Sequence, residues 1–127
     1  MNFFDTFQDD LKKQRYKKAA FELHQATERF YSCLLLVLTN YKPNTHNLKL
    51  LNSLSILQDE RLAEVFPQDS KFQRRRFQLL KRAYVDARYS EHYQITEEEL
   101  TWLAERVRDL QALTEELCLE KIESFER

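Results

Sequence analysis

The sequence predicts an all-α protein, an up-and-down antiparallel bundle of four to five helices that forms one domain over residues 1–127. The chain has no glycine and only two prolines in 127 residues. Apolar residues recur at helical spacing along most of its length, and the links between these stretches are short and polar. The length allows one well-buried core but not two. Without glycine there is no Gly-rich phosphate loop or nucleophile elbow, so any nucleotide must be held by side chains and helix ends.

The first part of the chain predicts two helices. Apolar residues at helical spacing place the first helix from Asn2 to about Lys13: Phe3, Phe4, Phe7 and Leu11. After a turn at residues 14–16, the longest apolar pattern predicts a second helix from Lys17 to about Asn40. Its second half is apolar all round, which is typical of a helix enclosed by neighbours. Pro43 ends the pattern, because proline disfavours helix in the residue before it.

The rest of the chain predicts three more helices. Thr45 is the expected N-cap of a third helix, which carries Leu48, Leu51, Leu54 and Leu57. Asp69 or Ser70 caps a fourth helix, which is expected to fray near His92. Thr96 and Glu99 form a capping box that begins the last helix. A long seam follows on that helix: Leu100, Leu103, Val107, Leu110, Leu113 and Leu117.

Cysteine usage and the N-terminus predict a cytoplasmic protein. Cys33 and Cys118 lie in apolar stretches without metal-ligand spacing, so they are expected to be buried free thiols in a reducing compartment. The longest apolar run, residues 33–38, is far too short to cross a membrane. The first residues have neither the basic start nor the long apolar core of a signal peptide.

The charges are unevenly distributed although the net charge is only −1. Seven basic residues lie between Lys71 and Arg88, against Asp86 alone, whereas acidic residues dominate from Thr96 onward. A basic helix in a balanced protein indicates a local anionic partner. The alternative is a solvated basic face, which we favour for Arg74–Arg76 taken alone.

The segment from Lys81 to Tyr93 is the most informative part of the chain. Read as a helix, it places Tyr84, Arg88 and His92 in one row, and Arg82 with Asp86 in a second i, i+4 pair. A permanent cation, an imidazole and stacking rings are the groups that phosphate and nucleotide chemistry uses. The alternative is a helix end with one buried tyrosine and a salt-bridged surface.

Two other polar groups lie on the predicted helices. His24 and Glu28 are spaced i, i+4 on the central helix, either as part of a site or as an exposed pair. No Glu-x-x-His occurs, so a metal centre is not expected. Residues 45–47 open the third helix, where free backbone N–H groups favour anions, although ordinary first-turn residues also explain them. Neither the serines nor Cys33 has the surroundings of a nucleophile.

Three motifs together resemble the HEPN family, named for higher eukaryote and prokaryote nucleotide-binding domains. The motifs are Ala20-Phe-Glu-Leu-His-Gln-Ala-Thr-Glu28, Tyr41-x-Pro-x-Thr-His-Asn-Leu48, and Arg82-Ala-Tyr-Val-Asp-Ala-Arg-Tyr89 with Tyr93. The resemblance implies an all-α bundle, usually dimeric, that is paired with or fused to a minimal nucleotidyltransferase. Many members are toxins or RNases with an arginine and a histidine separated by four to six residues. Here three residues separate Arg88 from His92, so the chain looks closer to the nucleotidyltransferase-associated branch.

The sequence therefore predicts a domain that binds a nucleotide or an RNA phosphate, as a homodimer, with a nucleotidyltransferase partner and without cofactor, metal or membrane. We expect Arg88 to hold phosphate and Tyr84 or Tyr89 to orient or stack. The other expected binding residues are Asp86, Glu28, His24 and Tyr93. Two rival functions stay open: a metal-independent ribonuclease toxin that uses Arg88 and His92, and a non-catalytic interaction module.

Overall fold

A computed structural model describes residues 3–125. These residues form an all-α helical bundle, as the sequence predicts. Within that range there are no strands. Asn2, the predicted first residue of the first helix, lies outside the described residues. The helices are α1 (Phe3–Lys12), α2 (Tyr16–Thr39), α3 (Leu48–Gln58), α4 (Lys71–Arg82), α5 (Asp86–Tyr89) and α6 (Glu97–Ser124), with a 3-10 helix at Glu60–Glu64 between α3 and α4.

The long helices α2 and α6 form the centre of the core. Leu23 and Leu34 of α2 and Leu103 of α6 are completely buried. Tyr31 is buried with them, and its hydroxyl donates to Asn52 Oδ1 of α3 at 2.8 Å. Burying such large apolar side chains provides the main free energy of folding, at about 25 cal/mol per Å² of apolar surface.

Side-chain caps fix where three helices begin. Ser70, one of the two predicted caps, begins α4 and forms a capping box with Gln73, and Thr96 and Glu99 form the predicted capping box at α6. At α3 the predicted cap was wrong by two residues. Asn47, not Thr45, is the N-cap, and its Oδ1 accepts from the backbone N–H of Leu50 at 3.1 Å.

The linker from residue 40 to residue 47 runs back along α2. Asn40 is left-handed, with φ 60°, and ends α2. Six residues later, the His46 side chain contacts Glu28 in the middle of α2. The start of α3 is therefore placed beside α2, and the linker delivers His46 to the same region.

The predicted fourth helix is two helices. α4 ends at Arg82, and α5 is a separate turn of helix that ends before Ser90, whose backbone is extended. The Ser90 hydroxyl accepts from the backbone N–H of His92 at 3.2 Å, a local bond of the kind that competes with helix. His92 is thus outside any helix.

The outer face of α2 is more open than the sequence indicates. Cys33 is exposed and Cys118 is partly buried, so the prediction that both thiols are buried was wrong. Leu34 and Leu35 face the core, whereas Leu36 is about half exposed. The apolar run is therefore one-sided. Among residues 3–125, no helix has the length and apolar character that crossing a membrane requires.

Candidate functional site

Aromatic and imidazole rings converge where α2, the 40–47 linker and the start of α5 meet. The Tyr84 ring lies at the centre of this group. His46 stacks on it with ring centroids 4.1 Å apart and planes at 15°, and His24 and Phe21 lie 5.3 and 6.2 Å away. We call Phe21, His24, His46, Tyr84 and Arg88 the Tyr84 cluster. One face of Tyr84 is covered by His46, so this ring packs within the cluster and does not present that face to a ligand.

Arg88 is the cation of the Tyr84 cluster. Its guanidinium carbon lies 4.7 Å from the ring centroids of both Tyr84 and Phe21, and 5.0 Å from that of Tyr89. Nε donates to the Tyr84 carbonyl at 2.8 Å, which fixes the side chain. Among residues 3–125, no carboxylate forms an ion pair with Arg88, which is exposed. Its Nη groups can therefore bind an external anion, with the rings setting their position.

His46 and Glu28 form a hydrogen-bonded pair at the edge of the cluster. Nδ1 of His46 lies 2.5 Å from Oε1 of Glu28, and it donates because an ionised carboxylate can only accept. This bond leaves Nε2 as the ring nitrogen that can contact a ligand. No periodic pattern in the sequence indicates His46, since it lies in the linker before α3. Its place in the Thr-His-Asn motif was the one available indication.

His24 of α2 holds the 40–47 linker in place by a hydrogen bond to its backbone. It is completely buried, and its Nε2 donates to the His46 carbonyl at 3.2 Å. Its Nδ1 has no hydrogen-bond partner among residues 3–125. Burial lowers the pKa of His24 to about 4, and the carbonyl contact only partly offsets this effect. A neutral His24 therefore positions His46.

The other three predicted residues lie apart from the Tyr84 cluster. Asp86 pairs with Arg82 at 2.8 Å, the i, i+4 pair that the sequence predicts. Tyr93 is buried, its hydroxyl donates to the Leu79 carbonyl at 2.8 Å, and burial raises its pKa. His92 has a side chain that is 89% exposed, so the expected row of Tyr84, Arg88 and His92 was wrong at its third member.

The basic face of α4 is partly neutralised within the molecule. Arg75 lies 3.4 Å from Glu99, and Arg76 lies 3.5 Å from Glu98. The acidic first turn of α6 thus pairs with two arginines of α4, and part of the charge asymmetry seen in the sequence is compensated within the fold. Arg88 differs from these arginines because no carboxylate within residues 3–125 pairs with it.

The described part of the chain contains no group of three or more His, Cys, Asp or Glu residues that could hold a metal ion. The cluster instead offers a guanidinium and a carboxylate-linked imidazole, with the exposed Tyr89 ring beside the guanidinium. These groups bind anions, stack on bases and transfer protons.

Comparison with known families gives one match. The family model described as HEPN domain matches residues 1–117. No curated protein matches the chain.

Proposed function

The chain belongs to the HEPN domain family, and from that premise we propose that it binds a nucleotide or an RNA phosphate at Arg88. Membership indicates a nucleotide- or RNA-related function. One observation carries the assignment to Arg88. The guanidinium is exposed, is held against aromatic rings and pairs with no carboxylate among residues 3–125. A fixed, uncompensated guanidinium is suited to bidentate phosphate binding.

The base of the ligand would stack on Tyr89. This ring is 75% exposed and lies beside the Arg88 guanidinium, whereas Tyr84 is covered by His46. Glu28 would act indirectly by holding His46, and His24 would act by holding the linker. Asp86 holds Arg82 and Tyr93 lies in the core, so neither enters this proposal.

The Arg88→Ala variant tests the proposal. Losing a bidentate phosphate contact should weaken binding by about 1.5–3 kcal/mol, a factor of roughly 10–150 in Kd, while melting stays nearly unchanged. Calorimetric titration with nucleotides and RNA measures the change. Arg82→Ala is the matched control, because Arg82 is already paired with Asp86. If Arg88→Ala binds like the wild type, Arg88 is structural and the proposed site is wrong.

The proposal includes a homodimer and a nucleotidyltransferase partner, in the cytoplasm and within a toxin–antitoxin type system. HEPN domains often dimerise. Exposed Val85 and Tyr89 flank Arg88, so a second copy packed on this face would complete a cleft around it. The nucleotidyltransferase would be encoded beside this chain or fused to it. Co-expression with the adjacent open reading frame, followed by gel filtration, tests that pairing.

We predict a dimer in solution at protein concentrations of about tens of micromolar. Light scattering should give twice the mass of the 15.5 kDa chain. Val85→Glu together with Tyr89→Glu should reduce this mass, because two copies of the face would then repel each other. A wild-type protein that stays monomeric at these concentrations would contradict the prediction.

A second candidate function is metal-independent RNA cleavage, and the His46–Glu28 pair favours it. Arg88 would neutralise the phosphate, and His46 rather than His92 would transfer the proton, because both Arg88 and His46 lie against Tyr84. RNA incubated with the protein and EDTA tests this function. Cleavage that disappears in His46→Ala but persists in His92→Ala supports it, and intact RNA excludes it.

A further inference from the structure

The turn between α1 and α2 carries the densest positive charge of the chain. Five of the seven residues from 12 to 18 are basic: Lys12, Lys13, Arg15, Lys17 and Lys18. Gln14, with φ 57°, closes the turn and brings the two helix ends together. We call residues 12–18 the basic turn. It lies outside the motifs that indicate the family.

Two aspartates of α1 compensate only part of this charge. Asp9 pairs with Lys13 at 3.0 Å. Asp10 is buried and lies at longer distances from Arg15 and Lys18, 3.7 and 3.5 Å. The side chains of all three cations stay about half exposed. The basic turn therefore keeps a positive surplus that faces solvent.

A groove separates the basic turn from residues 93–95. Its volume is about 550 Å³, and Arg15, Lys17 and Lys18 line one side together with the Tyr16 ring. Buried Tyr93 and Ile95 form the opposite side. Cations interleaved with aromatic and apolar surface are what proteins use to follow a single-stranded phosphate backbone.

Lys17 connects this groove to the Tyr84 cluster. Its Nζ donates to the Ser90 carbonyl at 3.2 Å, directly after Tyr89 at the end of α5. Lys17 also lies one helical turn before Phe21, against which Arg88 rests at 4.7 Å. Lys17 thus joins the end of the segment that carries Arg88 to the groove that it lines together with Arg15. Glu91, the nearest acidic residue of that loop, is 90% exposed and therefore strongly screened by water.

We propose that the ligand of this surface is a single strand of RNA several nucleotides long, which extends from Arg88 through Lys17 into the groove of the basic turn. The inference rests on the proposed function, since Arg88 is the first phosphate contact. It adds a second binding region. A mononucleotide would reach Arg88 and Tyr89 alone, whereas a strand would also be neutralised by Lys17 and Arg15.

Binding of a fluorescein-labelled 12-nucleotide uridine RNA and of uridine monophosphate tests the inference. The variant is Arg15→Gln with Lys17→Gln, and the matched control is Arg74→Gln with Lys121→Gln, which removes the same charge elsewhere. The groove variant should bind the 12-mer about tenfold more weakly at 0.1 M salt and reduce its salt slope by roughly 1.4, about 0.7 for each lost phosphate contact. Its affinity for the mononucleotide should be unchanged. Circular dichroism checks that both variants are folded.

Each outcome distinguishes the inference from the proposed function. If Arg88→Ala weakens both ligands but the groove variant changes neither the 12-mer affinity nor its salt slope, the strand path is wrong and the function stands. If Arg88→Ala changes neither ligand, the proposed function fails. Equal losses for mononucleotide and 12-mer in the groove variant would also overturn the path. So would phosphatidylserine vesicles sedimenting with the wild type, but not with the groove variant, while the 12-mer fails to bind.

Discussion

Arg76 and Arg88 both lie against aromatic rings, but they differ in exposure and in ion pairing. The Arg76 guanidinium carbon is 3.4 Å from the Phe72 ring centroid and 5.5 Å from that of Trp102. Its side chain is only 8% exposed, and it pairs with Glu98. Arg88 also lies against aromatic rings, but it is exposed and forms no ion pair with a carboxylate within residues 3–125.

The difference shows what decides the role of an arginine on an aromatic surface. In both places the rings orient the guanidinium and exclude some water from it. A buried cation needs a carboxylate, because an uncompensated buried charge is strongly destabilising. Arg76 has that partner, so its charge is satisfied within the fold. Arg88 has no such partner among the described residues, and its charge stays available to an external phosphate.

The largest expected effect is a contrast in stability between two alanine variants. Arg76→Ala should lower the free energy of unfolding by about 2–3 kcal/mol, because a desolvated cation–π contact and the packing of its long stem are lost together. Arg88→Ala should lower it by less than about 0.5 kcal/mol, as for other surface substitutions. Urea denaturation at neutral pH measures both. Equal losses of unfolding free energy in the two variants would contradict the difference proposed between Arg76 and Arg88.

Lowering the pH should reduce the free energy of unfolding through protonation of His24, which lies in the Tyr84 cluster with Arg88. Its pKa in the folded protein is about 4, below the ordinary value of 6.5, so the unfolded chain takes up the proton first as the pH falls. The stability contributed by neutral His24 is thus fully present above pH 6.5 and is lost as the pH approaches 4. The loss should be on the order of 2 kcal/mol.

His24→Gln is the variant that isolates this effect, because it keeps a donor for the His46 carbonyl but does not titrate. Urea denaturation at pH 7 and near pH 4.5 should show a smaller acid loss in His24→Gln than in the wild type. The carboxylates titrate in both proteins, so their contribution cancels when the acid-induced losses of unfolding free energy are subtracted. An identical acid loss in the two proteins would mean that His24 does not carry the effect.

Periodicity predicted the fold because each helix buries a regular apolar face. The α4 and α6 boxes could also be predicted, since Ser70–Gln73 and Thr96–Glu99 are local pairs. The sequence indicated Arg88 and Tyr84 correctly as neighbours at i, i+4. It could not place His46, because that residue reaches the cluster only through an extended linker that returns along α2.

Two of the errors have local causes, and a third depends on packing between distant segments. The break after Arg82 is small, and no proline or glycine marks it, so the sequence pattern predicts one helix that includes His92. Cys33 was expected to be buried because its neighbours are apolar, but those neighbours take the inner face of α2. The neutralisation of α4 by α6 depends on how two distant segments pack, which a sequence pattern does not contain.

Giving Arg88 a carboxylate should make it resemble Arg76. Val85 is about half exposed and lies three residues before Arg88, so Val85→Glu places a carboxylate within i, i+3 reach. RNA affinity should fall by about 1 kcal/mol, roughly fivefold, at low salt, and the effect should shrink as salt screens the pair. Val85→Gln is the control for size and polarity. Equal losses of affinity in the two variants would show that the missing carboxylate is not what keeps Arg88 available.

The smallest expected effect is that of His92→Ala, which tests the boundary of the site. The imidazole is 89% exposed, and within residues 3–125 its Nε2 has only Glu91, at 3.8 Å, as an ion-pair partner. General acid–base chemistry needs a group held within hydrogen-bond reach of its target, about 2.6–3.2 Å, and nothing holds His92 in this way within the described residues. Binding of nucleotide and RNA should therefore change by less than about twofold, within the range of surface substitutions.

Any RNA cleavage should persist in this variant, since His46, which stacks on Tyr84 and is fixed by Glu28, is the better-placed proton carrier. Robust cleavage that is lost in His92→Ala and kept in His46→Ala would move the proton-transfer role out of the Tyr84 cluster and onto the loop after α5.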